Sequence, residues 1–128
     1  MAGRQVKTVD AHAHCIFADA LAPLGSGAQA AMPPTKGVEE HFLAAPGAVE
    51  ARLRSMDDMG VDMEILSINP FWYGGDRDLA ARIVSLNNEN FAELCAAHPD
   101  RFGAFASLAM QFPDLAVKQL EDAVRKGG

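Results

Sequence analysis

No cluster of basic residues occurs in this 128-residue chain. Its eleven Lys and Arg are scattered among seventeen Asp and Glu, for a formal net charge of −6. Binding to a nucleic-acid backbone needs a basic face that displaces counterions, so a nucleic-acid partner is not expected. No apolar run approaches the roughly 20 residues that span a bilayer, and no membrane association is expected either. The start, Met1 to Lys7, is polar and lacks the apolar core of a signal peptide. Cysteine is scarce: Cys15 and Cys95 lie too far apart in sequence for a zinc ribbon or a redox pair. The expected setting is a reducing cytoplasm with free thiols. The expected partners are a small-molecule substrate and a second copy of the chain, as a homodimer. No internal repeat or low-complexity tract is visible. What is present is 49% apolar and 22% charged, the balance of a globular chain rather than a disordered one, at a one-domain length.

Val6 to His14 starts as a strand, with Val6, Thr8 and Val9 favouring extended backbone. From Leu21 to Gly47 the chain is rich in Ala, Gly and Pro without a period, and Pro33-Pro34 forbids a helix through its middle, so a long loop is expected. Val49, Leu53, Met56 and Met59 then form one helical stripe closed by Gly60. Val61 to Ile68 reads as a strand covered on both faces. Asp76 is a good N-cap for a helix running to about His98, with Leu79, Ile83, Leu86 and Leu94 on its stripe. Phe102 to Leu108 is a third strand. Pro113 opens a last helix whose buried side is Ala116, Leu120, Ala123 and Val124, with Gly127-Gly128 at its end. The order βαβαβα implies an α/β fold of parallel strands joined by right-handed crossovers. Either this is a small open α/β domain, or it is the first three units of a (β/α)8 barrel, which takes about 250 residues.

Val9-Asp10-Ala11-His12-Ala13-His14 carries the sharpest chemistry. Alternate side chains of a strand share a face, so Asp10, His12 and His14 are expected to point the same way. Two imidazoles so placed can grip one metal ion, and a nearby carboxylate, Asp10, can orient a ring through its second nitrogen. The plainer reading is a pair of hydrogen-bonded histidines at a strand end, and ligation is favoured over it. Zinc wants at least three protein ligands, so two histidines do not complete a site. Asn69, Phe71, Trp72 and Tyr73 follow the second strand, at the end where β/α barrels build their active sites. Trp72 and Tyr73 are the chain's only Trp and Tyr. They form either a substrate pocket wall or a hydrophobic plug or oligomer contact. Met110 and Gln111 reach the same rim by position. Asn87, Asn88 and Asn90 are poor helix formers that either bond a neighbouring loop or face solvent. His41 is expected in solvent, His98 at a helix C-terminus, and Cys15 as a small buried residue.

The pattern Val9-Asp10-x-His12-x-His14 resembles the first-strand metal motif of the amidohydrolase superfamily. The run Arg54 to Ser67 and the segment from His98-Pro99-Asp100-Arg101-Phe102 through Leu108-Ala109-Met110-Gln111 to Val124 are similar to its α-amino-β-carboxymuconate-ε-semialdehyde decarboxylase branch. That resemblance implies a TIM-type (β/α)8 barrel of which residues 1–128 are the N-terminal part. It implies a divalent metal, usually Zn2+, on His12 and His14, with the other ligands and the catalytic histidine beyond residue 128. The branch's arginine in the loop after the first strand has no counterpart between Arg4 and Arg52, where Lys36 and His41 are the loop's cations. The implied activity is that of a metal-dependent non-oxidative decarboxylase (a carboxy-lyase) or hydrolase acting on a small carboxylated or aromatic-derived compound, with the 128 residues alone inactive. A stand-alone, non-catalytic α/β binding or scaffold module is the alternative from another class.

Overall fold

The computed structural model of the chain describes residues 7–25 and 47–127. Strand β1 (Val9–His14) leads through Cys15 to Phe17 into a short helix α1 (Ala18–Leu21) and one 3-10 turn, Ala22–Leu24. Helix α2 (Ala48–Met59), strand β2 (Met63–Ser67), helix α3 (Arg77–Ala97), strand β3 (Phe102–Ala104) and helix α4 (Pro113–Gly127) follow. The three strands form one parallel sheet in the order β1-β2-β3. The βαβαβα alternation read from the sequence is therefore present.

Local signals explain most element ends. The Asp76 carboxylate accepts from the Leu79 backbone N–H at 2.9 Å, capping α3 where expected. Gly60 closes α2 at φ +71°, a left-handed conformation that glycine adopts without a Cβ clash. Several boundaries differ from expectation. Leu21 to Leu24 are helical rather than loop, because Ala20 and Leu21 bury against the core. Residues 26–46 of the expected loop, with Lys36 and His41, lie outside the described residues, as does Val6. The third strand ends at Ala104 rather than Leu108; the Phe105 N–H still donates to the Leu66 carbonyl of β2, and farther on side chains hold the backbone at Ser107 and Ala109. Met59, assigned to the buried stripe of α2, is exposed, as are Leu120 and Val124 of α4. Ala116 of the α4 stripe is buried and Ala123 half-buried, while among the described residues nothing covers Leu120 and Val124.

The helices cover one face of the sheet. Ala13, Cys15, Leu66 and Phe102 point into that layer and pack with Phe17, Met56 and Phe91. A second cluster, Trp72, Ala80, Ile83, Val84 and Ala109, sits at the C-terminal ends of the strands. The segment His98 to Phe102 acts at the opposite end. Arg101 Nε donates to the Asp62 carbonyl, its Nη2 to the Asp57 carboxylate at 2.7 Å, and the His98 ring meets Phe102 edge-on. These groups tie the start of β3 to the start of β2, a stability role typical of that end of a parallel sheet.

An ion pair sits within the helix-covered layer, unannounced by the apolar pattern of β2. Arg52 Nε of α2 donates to Glu64 Oε2 of β2 at 2.6 Å, with side chains only 6% and 7% exposed. Removing one partner of such a pair strands a buried charge, whereas replacing both by apolar groups removes the desolvation cost as well. Glu64→Leu alone should therefore cost about 3–5 kcal/mol in urea unfolding, and Arg52→Met combined with it should restore most of that loss. A single variant within about 1 kcal/mol of wild type would show that the pair is solvated, not buried.

Candidate metal centre

His12 and His14 lie on the face of the sheet that the helices leave open. Their neighbours in sequence, Ala13 and Cys15, are buried on the other face, so the strand's alternation drives both imidazoles outward. The two Nε2 atoms are 2.8 Å apart, and the ring centroids 4.8 Å. Two nitrogens bound to one zinc-sized ion at about 2.0–2.1 Å lie roughly 2.8–3.4 Å apart for angles from a right angle to tetrahedral. The observed 2.8 Å stands at the short end of that range and is also the distance of a hydrogen bond between the two rings. Among the described residues no group of three or more His, Cys, Asp or Glu side chains is placed to hold a metal.

Asp10 does not continue the alternation. From Asp10 to Ala13 is three steps along β1, set against two from Glu64 to Leu66 on β2, so a bulge intervenes. Its Oδ1 accepts from the backbone N–H of His12 at 2.9 Å. The carboxylate thus fixes the backbone that carries the first histidine. Its one recorded contact there is with main chain rather than an imidazole nitrogen.

The turn after β2 lies at the same end of the sheet as His14, because His14 pairs with Ser67 and the Cys15 N–H donates to the Ser67 carbonyl. The structure divides the aromatic residues of that turn. Trp72 is 2% exposed, packs among Ala80, Ile83, Val84 and Ala109, and donates from Nε1 to the Leu108 carbonyl at 3.0 Å. Of the two roles that its position allows, Trp72 takes that of a plug, because α3 offers it an apolar socket. Tyr73 is 45% exposed, Phe71 half-buried and Asn69 exposed, and both flanking rings meet the indole edge-on. Gly75 permits the turn's close return: a Cβ there would lie 3.2 Å from the Trp72 carbonyl oxygen and 3.1 Å from Leu79.

Other candidates resolve simply. Cys15 is fully buried, and burial pushes its thiol up to about 12, with Glu64 adding and Arg52 opposing, so no nucleophilic thiolate exists there at neutral pH. Asn88 exchanges two hydrogen bonds with the Ser107 backbone, and Asn90 bonds Asp19, which accounts for two of the three helical asparagines. A cleft of about 620 Å3, lined by Phe91, Phe102, Phe105 and Gln119 among others, lies between α3, β3 and α4. It contains neither His12 nor His14.

Residues 9–128 match the amidohydrolase family. A curated relative, gamma-resorcylate decarboxylase of Rhizobium radiobacter, is 41% identical over 81 residues, which are 62% of this chain and 25% of the relative. The Rhodococcus jostii enzyme of the same name is 37% identical over a segment of the same length. Among solved structures, a 2,6-dihydroxybenzoate decarboxylase from Rhizobium superposes with TM-score 0.69 at 31% identity, over 94% of this chain and 36% of its own. A dihydroxybenzoic acid decarboxylase from a Polaromonas species, with bound manganese and the inhibitor 2-nitroresorcinol, gives 0.68 at 27%, with the same coverage. The chain thus spans about a quarter to a third of the length of the proteins it matches.

The two rings of the turn should separate by experiment. Trp72→Ala leaves a cavity in the second core cluster and should cost about 3–5 kcal/mol of stability, whereas Tyr73→Ala should stay within about 0.5 kcal/mol. Equal costs by urea denaturation would contradict the division into plug and exposed ring.

Proposed function

The chain belongs to the amidohydrolase family, and from that premise we propose that it supplies the first two metal ligands, His12 and His14, of a non-oxidative decarboxylase acting on a small aromatic carboxylate. The observation that carries the reading is the pair of Nε2 atoms 2.8 Å apart on the open face of the sheet. A divalent ion held there would supply Lewis acidity and lower the pKa of coordinated water. Zinc is the expected ion for paired imidazoles, and manganese, bound in the Polaromonas relative, is the competing one. Further donors and the acid that protonates the ring carbon are proposed to come from outside these 128 residues, since the described ones offer only a half-site.

The chain's own residues have separable parts in this reading. Asp10 holds the His12 backbone, and the buried Ala13 and Cys15 set the outward aim of both rings. Asn69, Phe71 and Tyr73 border the turn beside them, and Tyr73 offers an exposed aromatic ring to stack against an aromatic acid. In the reaction the bond from ring carbon to carboxylate breaks, CO2 leaves, and the electron pair left on carbon takes a proton. Decarboxylase relatives favour this course over hydrolysis. The proposal extends to a homodimer, supported by the exposed Leu120 and Val124 of α4, and to the cytoplasm, supported by two free cysteines. Among the described residues no helix is long and apolar enough to cross a membrane.

CO2 release from 2,6-dihydroxybenzoate tests the reading. The 128-residue chain should bind zinc weakly and release none, and an intact protein carrying it should release CO2 only when loaded with a divalent ion. Metal-dependent turnover by the 128 residues alone would contradict the half-site, and an intact, metal-loaded protein inert toward dihydroxybenzoates would contradict the proposed substrate class.

A further inference from the structure

Two loops meet at the end of the sheet where His14 sits, and their contacts are reciprocal. The Trp72 indole Nε1 donates to the Leu108 carbonyl at 3.0 Å, and Gln111 Nε2 donates back to the Trp72 carbonyl at 3.0 Å. One residue of the turn after β2 therefore both donates to and accepts from the loop after β3. That loop has no strand or helix of its own from Phe105 to Phe112, yet its backbone is pinned from both helices. Asn88 of α3 accepts from the Ser107 N–H at 2.7 Å and donates to its carbonyl at 3.0 Å, while Gln119 Oε1 of α4 accepts from the Ala109 N–H at 2.8 Å. The same Trp72 carbonyl also accepts from the Gly75 N–H at 3.0 Å, so it holds its own turn and the next loop at once.

We infer that Trp72 and Gln111 are positioning residues that join the turn after β2 and the loop after β3 into one rigid rim beside the histidine pair. Neighbouring side chains give the rim its use. Tyr73 follows Trp72, Met110 precedes Gln111, and both are exposed. A lock between the residues that carry them fixes how these two are presented, so a ligand over the histidines meets a preset surface rather than two independent loops. This use for a ligand rests on the decarboxylase reading; the lock itself does not.

Native-state hydrogen exchange on the intact protein tests the lock without any substrate. In the wild type, the Trp72 indole N–H and the amides of Gly75, Ser107 and Ala109 should open together, with protection factors within about threefold of one another. Gln111→Ala should lower protection of the indole and of Gly75 about three- to tenfold, as expected for one lost hydrogen bond, and leave the Cys15 amide between β1 and β2 unchanged. Trp72→Phe, which removes the donor and keeps the carbonyl, should loosen Ala109 to a similar degree. Unrelated openings in the wild type, or loosening after Gln111→Ala confined to the loop after β3, would overturn the inference. If Gln111→Ala does not fold, the wild-type pattern alone decides. In the intact enzyme, Gln111→Ala should raise KM for a dihydroxybenzoate by more than it lowers kcat, with bound metal unchanged. No turnover of dihydroxybenzoates in either form would count against the proposed substrate, and the exchange data would still decide the rim.

Discussion

The alternation of β1 is the constraint on which the rest of this structure depends. Ala13 and Cys15 are small enough to bury against Phe17, Met56 and Phe91, and that burial leaves the intervening imidazoles nowhere but the open face. A larger residue at position 13 would press on the helix layer, and a shift of one residue would reverse every side chain. The bulge between Asp10 and Ala13 is the complement of this constraint. It absorbs an extra residue in the stretch that contains His12, so that pairing with β2 is back in register at Ala13 with Leu66 and His14 with Ser67.

The parallel sheet divides labour between its ends. At the N-terminal ends, Arg101 binds the Asp62 carbonyl and the Asp57 carboxylate, and Asp62 accepts from the Thr8 N–H at 2.7 Å. Those contacts hold the strand starts together. At the C-terminal ends lie His14, the aromatic turn and the loop after β3, whose backbone is bonded by side chains of α3 and α4. In β/α folds generally the N-terminal ends of the strands serve stability and the C-terminal ends carry the active site. The Arg77–Asp114 pair, with the guanidinium holding the Asp114 carboxyl down to about 2, ties the first turns of α3 and α4 on the rim side.

How much of this was legible in the sequence depended on whether the cause was local. The histidine spacing, the Asp76 cap and the Gly60 stop act within a few residues, and each lies where its pattern places it. The reciprocal pairing of Asn88 with Ser107 was legible only as poor helix formers that bond a loop, without the partner. Glu64 was passed over because a lone acid in an apolar strand shows its meaning only with Arg52, twelve positions upstream on another element. For Trp72 the sequence leaves pocket wall and plug both open, because its place after a strand is a local fact, whereas the socket of Ala80, Ile83, Val84 and Ala109 that decides between them is a tertiary one. Leu120 and Val124 have the period of a buried stripe, yet among the described residues no partner covers them. Periodicity reports which face is apolar, not what meets it.

The central claim is that His12 and His14 bind one divalent ion through their Nε2 atoms. X-ray absorption at the metal edge of the intact protein, with elemental analysis of His12→Ala and His14→Ala, measures it most directly. The account predicts nitrogen scatterers at about 2.0–2.1 Å with the outer-shell pattern of at least two imidazoles, and loss of most bound metal in either variant. A metal content unchanged in the double variant, or a first shell without imidazole, would contradict it.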